Sequence, residues 1–224
     1  TSVVTSGSAV PIATGAMVPR GANAVVMIEH TDYQNERLYV YRSLTPGSAI
    51  SFAGTDIAAG ETVLRGGEYL TSRETGVLAA IGTETVQVWR RPKVVIISTG
   101  DEIIEPGKPM TPGLVYDSNA QILSDAVREL GGEPIVAGII QDDYEDLQQK
   151  LQEALATADV VLLSGGTSKG SGDISYKVVR ELNDPGIVAH GVALKPGKPI
   201  CLAASQGKPV VILPGFPTSA VFTF

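Results

Sequence analysis

The chain has 224 residues, 43% hydrophobic and 18% charged, with 5% aromatic residues, one cysteine, two histidines and a formal net charge of −7. This composition fits one large or two modest globular domains rather than a disordered segment, and the acidic balance excludes a general nucleic-acid binder. One cysteine excludes an internal disulfide and fits a reducing, cytoplasmic setting, and with so few cysteines and histidines any metal is a hard one held by carboxylates rather than zinc.

No apolar run reaches the roughly 18 residues of a membrane-spanning helix, and no basic and apolar leader opens the chain. The sequence starts without Met in a polar stretch and stops at Phe224, just as a helix begins after Pro217. It is therefore expected to be a fragment of a longer protein.

Glycine and proline punctuate residues 1–90 densely. Short β-type runs lie between them, at Ala24 to Ile28, Arg37 to Tyr41 and Val86 to Trp89, and predict a small β barrel or sandwich. The stretch Thr71 to Ile81 predicts a helix capped by Ser72 and stopped by Gly82. Thr14 lies in Ala13-Thr14-Gly15-Ala16, a turn feeding a strand, and Asp56 lies in Gly54-Thr55-Asp56-Ile57, where it can organise a turn through its own backbone. The predicted organisation is a β-barrel-like part at 1–52, a linking and dimerisation arm with a helix at 53–90, and an α/β domain at 91–224.

From residue 91 strands and helices alternate. Val94 to Ile97, Ile135 to Ile140, Val160 to Leu163, Pro199 to Ala203 and Val210 to Leu213 are the strand runs. Ser118 to Leu130, Asp143 to Ala156 (Leu147, Leu151 and Leu155 at every fourth position) and Ile174 to Leu182 are the helix patterns. This alternation predicts a mostly parallel sheet with helices on both faces, whose ligands bind beyond the carboxyl ends of the strands.

Those ends hold Ser98-Thr99-Gly100-Asp101-Glu102, Gln141-Asp142-Asp143, Ser164 to Asp173, and Leu213 to Ser219. The small-residue turn Ser164-Gly165-Gly166-Thr167-Ser168, between a strand and a helix, predicts an anion nest, although it lacks Walker A spacing. Two readings stand for Asp173, a helix N-cap or a carboxylate that holds a metal or handles a proton. Asp142 and Asp143 likewise suit a helix start. Glu102, Asp142 and Asp173 together around a phosphate nest suit magnesium. Lys195-Pro196-Gly197-Lys198-Pro199 places two lysines on a proline-stiffened loop, an arrangement suited to an oxyanion, and Ser219 adds a hydroxyl at the head of a helix.

Taken in order, these segments, together with Pro19-Arg20-Gly21-Ala22-Asn23-Ala24-Val25-Val26, Tyr116-Asp117-Ser118-Asn119 and Pro214-Gly215-Phe216-Pro217, resemble the molybdopterin molybdenumtransferase family of MoeA and the gephyrin E domain. The resemblance implies insertion of molybdate into adenylylated molybdopterin with release of AMP, a magnesium requirement and an elongated homodimer. It implies that Ser164, Gly165, Gly166, Thr167 and Ser168 hold the pterin's phosphate end and that Asp142 and Asp173 act with magnesium at the diphosphate. Glu102 matches an acidic site position. Lys195, Lys198 and Ser219 would hold molybdate, and Thr14 and Asp56 would reach the partner subunit's site.

The α/β part is similar to MogA-type adenylyltransferases, which are both an alternative reading and an implied partner; a molybdopterin-binding scaffold or inactive fragment is a further alternative. Neither a nucleic acid nor a membrane is an expected partner. The chain departs from the family pattern at Phe216, where asparagine is usual, at Lys169 and Gly172, and at Gly191, where some members have another lysine.

Overall fold

The computed structural model describes residues 3–165 and 174–224. The chain divides into two compact units, Thr1–Val86 and Gln87–Phe224.

The first unit holds one hairpin, β1 (Thr31–Gln34) against β2 (Arg37–Val40), antiparallel with Thr31 opposite Val40. Its two-residue turn, Asn35 and Glu36, has φ of 49° and 62°. Positive φ at both central positions matches the turn to the strand twist. The run Arg37 to Tyr41 thus forms a strand, but Ala24 to Ile28 and Val86 to Trp89 do not. Val25 donates to the Ser48 carbonyl at 2.9 Å and Ile28–His30 closes a 3-10 turn, so the first run has no ladder partner among the described residues. Helix α1 (Ser72–Ala80) is capped by Thr71 rather than Ser72. Thr71 has an extended backbone, and the Glu74 carboxylate accepts from its amide at 2.7 Å, completing a capping box.

The second unit is built on a six-stranded sheet. Its strands are β3 (Lys93–Thr99), β6 (Glu133–Ile140), β7 (Val160–Ser164), β8 (Gly186–His190), β9 (Cys201–Ser205) and β10 (Lys208–Leu213), in the order β6-β3-β7-β10-β9-β8. A two-stranded parallel ladder, β4 (Ile103–Ile104) with β5 (Val115–Tyr116), projects after β3. In the main sheet β6, β3, β7 and β10 run parallel, whereas β9 is antiparallel to both β10 and β8.

The predicted helices appear as α2 (Ser118–Glu129), α3 (Tyr144–Thr157) and α4 (Ile174–Arg180), and α5 (Pro217–Thr223) follows β10. Side-chain alternation along β3 and β7 separates two cores. Val95, Ile97, Val161 and Leu163 pack with Leu147, Leu151 and Leu155 of α3 and Val178 and Val179 of α4. Val94, Ile96 and Leu162 pack with Leu123 and Val127 of α2 and Ala220 of α5. Both sheet faces are therefore covered by helices, which is why these strands are continuous apolar runs.

Candidate functional site

From β3 the chain passes through α2 to β6 on one side, and β7 then lies on β3's other side. The carboxyl ends of β3 and β7 flank this reversal, where open α/β sheets leave a crevice. Two glycines shape it. Gly100, after β3, has φ of 146°, and a Cβ there would lie 2.8 Å from the Glu102 carboxylate. Gly165, after β7, has φ of 109°, and a Cβ there would run into the Thr99 carbonyl. The backbones of these two strand ends pack too closely for any side chain at Gly165.

Polar groups gather around this point. Thr99 Oγ1 lies 3.1 Å from Ser175 Oγ on α4, both buried. The β4–β5 ladder returns the chain to α2, with the Asp117 amide donating to the Ile104 carbonyl at 2.9 Å and its carboxylate capping α2 at the Ala120 amide. This fixes Asn119 in the first turn of α2. Asn119 Nδ2 donates to Ser164 Oγ and to the Gly215 carbonyl, each at 2.8 Å. Among the described residues, Ser98 Oγ and Asn119 Oδ1 are buried side-chain atoms without a partner. Buried polar groups are nearly always paired, and both of these atoms lie at the carboxyl end of the sheet.

Acidic residues lie beside this point, at the ends of β3 and β6. The Asp142 amide donates to Asp101 Oδ1 at 3.0 Å. Partial burial, then the charges of Asp101 and Glu102, push the Asp142 carboxyl above its ordinary value. Its neighbour Asp143 has a different task and caps α3 at the Asp146 amide, 3.0 Å away. Among the described residues no three acidic, histidine or cysteine side chains form a metal-ligand group.

The lysine loop opens at the same end of the sheet, because it leads into Cys201, which pairs with Ile212 near the end of β10. Its backbone closes on itself, Val192 donating to the Lys198 carbonyl at 2.9 Å and Gly191 to the Ile200 carbonyl at 2.8 Å. Gly197 is buried at φ 107° against Leu194 and Thr223 of α5. Lys195 and Lys198 are exposed, and neither forms an ion pair among the described residues. Ser219 lies half-buried on α5. Phe216, at the N-cap of α5, is 81% exposed and supplies no side-chain hydrogen bond.

The structure thus brings Ser164, Gly165, Glu102, Asp142, Lys195, Lys198 and Ser219 to one end of the second unit. Gly166, Thr167, Ser168, Lys169, Gly172 and Asp173 lie outside the described residues. Thr14 and Asp56 are exposed turn residues of the first unit. Sequence reasoning singled out neither Asn119 nor Ser98 as a site residue. The available signal was an asparagine two places after a capping aspartate, a residue type disfavoured inside helices unless its amide has a partner.

A sheet of this topology, with a glycine turn and buried hydroxyls at its reversal point, defines a doubly wound α/β domain with a polar crevice at the carboxyl ends of its strands. Residues 95–224 match the family described as a probable molybdopterin binding domain, and residues 1–82 match the MoeA N-terminal region, domains I and II. The chain belongs to that molybdopterin-binding family. It is 37% identical over 221 residues to molybdopterin molybdenumtransferase 2 of Mycobacterium tuberculosis, covering 95% of this chain and 54% of the relative. It is 36% identical to molybdopterin molybdenumtransferase of Nostoc sp., covering 97% of this chain and 50% of the relative. The molybdopterin biosynthesis moeA protein of Pyrococcus horikoshii has a solved structure with a TM-score of 0.78 at 33% identity, over 98% of this chain and 53% of that one. The chain spans about half the length of the curated relatives it matches.

Proposed function

We propose that this chain acts in molybdenum cofactor biosynthesis, binding adenylylated molybdopterin at the carboxyl ends of β3 and β7 and inserting molybdate into it with release of AMP. The observation that carries this reading is the arrangement at one end of the sheet. Buried hydroxyls and the Gly165 turn sit at the reversal point, carboxylates lie on one side, and two exposed lysines open at the same end. The names of the relatives supply the substrate class.

In this reading Ser164 and Gly165, with Gly166, Thr167 and Ser168, hold the phosphate end of the pterin. Lys195 and Lys198 attract the molybdate dianion and offset its repulsion from the diphosphate, a Coulomb term of consequence in a partly desolvated site. Ser219 donates to a molybdate oxygen. The oxygen donors of Asp142 and Glu102 suit a hard cation. These residues fit magnesium, with Asp142 and Asp173 as its holders, and the cation would neutralise the diphosphate. Thr14 and Asp56 contribute to the site of a second subunit in a homodimer, and a MogA-type adenylyltransferase supplies the substrate, both in the cytoplasm.

The test is AMP release from adenylylated molybdopterin. Release that rises with molybdate and requires magnesium supports the reading. A folded chain that binds adenylylated molybdopterin but shows no molybdate-dependent release contradicts the transferase step and leaves a binding scaffold.

A further inference from the structure

Resting on the phosphate-binding reading above, we propose that Asn119 is the positioning residue of this site. Its carboxamide makes the Ser164 hydroxyl an obligate donor toward a phosphate-ester oxygen and ties the turn after β7 to the turn after β10. The orientation of the carboxamide follows from its partners. One atom lies 2.8 Å from the Gly215 carbonyl oxygen, which only accepts, so that atom is the amide nitrogen. The same nitrogen lies 2.8 Å from Ser164 Oγ. Both of its hydrogens are then committed, and Ser164 Oγ accepts one of them.

A hydroxyl has one proton to give. With Asn119 supplying a donor, the Ser164 proton is left for another acceptor, and no described residue takes it. Ser164 is 2% exposed, so water does not freely satisfy that proton. A phosphate monoester dianion offers oxygens that only accept, and the donor is charge-assisted when it meets one. The site therefore prefers a phosphate-bearing pterin over its dephosphorylated form.

The second hydrogen bond sets geometry. It holds Gly215 where a Cβ would lie 3.7 Å from Gly165 Cα, which keeps the two turns in contact. Through Gly215 the latch extends to Pro217 and the start of α5, the helix of Ser219. Asn119 Oδ1 is left buried without a donor, an acceptor that the folded chain does not satisfy.

Asn119→Leu keeps the shape and removes the donors without adding charge. Calorimetric titration of the whole chain with molybdopterin, with the dephosphorylated pterin and with inorganic phosphate reads the result. Wild type binds molybdopterin more tightly than the dephosphorylated pterin. Asn119→Leu weakens molybdopterin about ten- to hundredfold, the scale of a charged hydrogen bond, and leaves the dephosphorylated pterin unchanged. In a Ser164→Ala background the same substitution costs no further affinity. Equal molybdopterin binding by wild type and Asn119→Leu overturns the proposal. So does a full loss in the Ser164→Ala background, which would show a merely structural role. If Asn119→Leu does not melt cooperatively, Asn119→Ser is carried through the same cycle. A folded wild type that binds neither molybdopterin nor phosphate instead overturns the functional reading on which this proposal rests.

Discussion

Strands β3 and β7 lie side by side, yet their two ends treat polar groups in opposite ways. At the amino end a closed set of hydrogen bonds surrounds Asp159. Arg90 grips both oxygens of Asp159 at 2.7 Å, the Lys93 amide donates to the same carboxylate at 2.7 Å, and the Asp159 amide donates to the Lys93 carbonyl at 2.8 Å. These bonds hold the Asp159 carboxyl far below the usual carboxylate range, the Arg90 hydrogen bonds first among them. At the carboxyl end Ser98 Oγ and Asn119 Oδ1 are buried without partners among the described residues, and Gly100 and Gly165 adopt left-handed φ. One end is closed and serves stability; the other leaves hydrogen-bonding capacity unused and suits a ligand.

The contrast can be broken at several points. The largest effect is expected at Gly165→Ala, which forces a side chain into left-handed φ and against the Thr99 backbone. It should destabilise the unit by about 1–3 kcal/mol in denaturant melts and abolish molybdopterin binding. Asp159→Asn comes next, since it weakens the Arg90 pair and the Lys93 bond together. The folded-state carboxyl is lowered, so its contribution is present above the unfolded value near 3.9 and fades as pH falls toward the folded one. The variant should melt earlier than wild type at pH 7, with the gap narrowing below about pH 4.

Phe216→Asn tests the helix that begins at the ligand end. It supplies the missing N-cap of α5 and gives up little packing, so stability should rise by about 1 kcal/mol in chemical denaturation. The smallest effect, of opposite sign to that at Asp159, is expected at Asp142→Asn. The folded carboxyl is raised, so its contribution is present below the unfolded value and lost as pH rises. The variant should gain at most about 0.5 kcal/mol at pH 7, with the gain vanishing below about pH 4. Thermal melts across that range check it.

Much of this architecture was legible in the sequence. The parallel strands show as apolar runs because both faces are buried, and α3 shows as leucines at every fourth position because one face is. Strand β8 is hidden in the sequence because it is an edge strand with mixed exposure, and it begins at Gly186 of a Pro-Gly pair that reads as a stop. Asp142 and Asp143 are indistinguishable as letters, and only backbone geometry assigns the cap to Asp143. The role of Asn119 is invisible in the local sequence, since its partners lie 45 and 96 residues away. Local patterns reveal caps and faces; they do not reveal which distant turns a side chain joins.

In the proposed reading the carboxyl end of this sheet, and not its amino end, binds the ligand. The most direct measurement is calorimetric titration of the chain with molybdopterin, comparing wild type, Ser164→Ala and Asp159→Asn at pH 7. The account predicts that Ser164→Ala loses affinity about tenfold or more while Asp159→Asn, still folded, binds as wild type does. Undiminished binding by Ser164→Ala, or loss confined to Asp159→Asn, would contradict it.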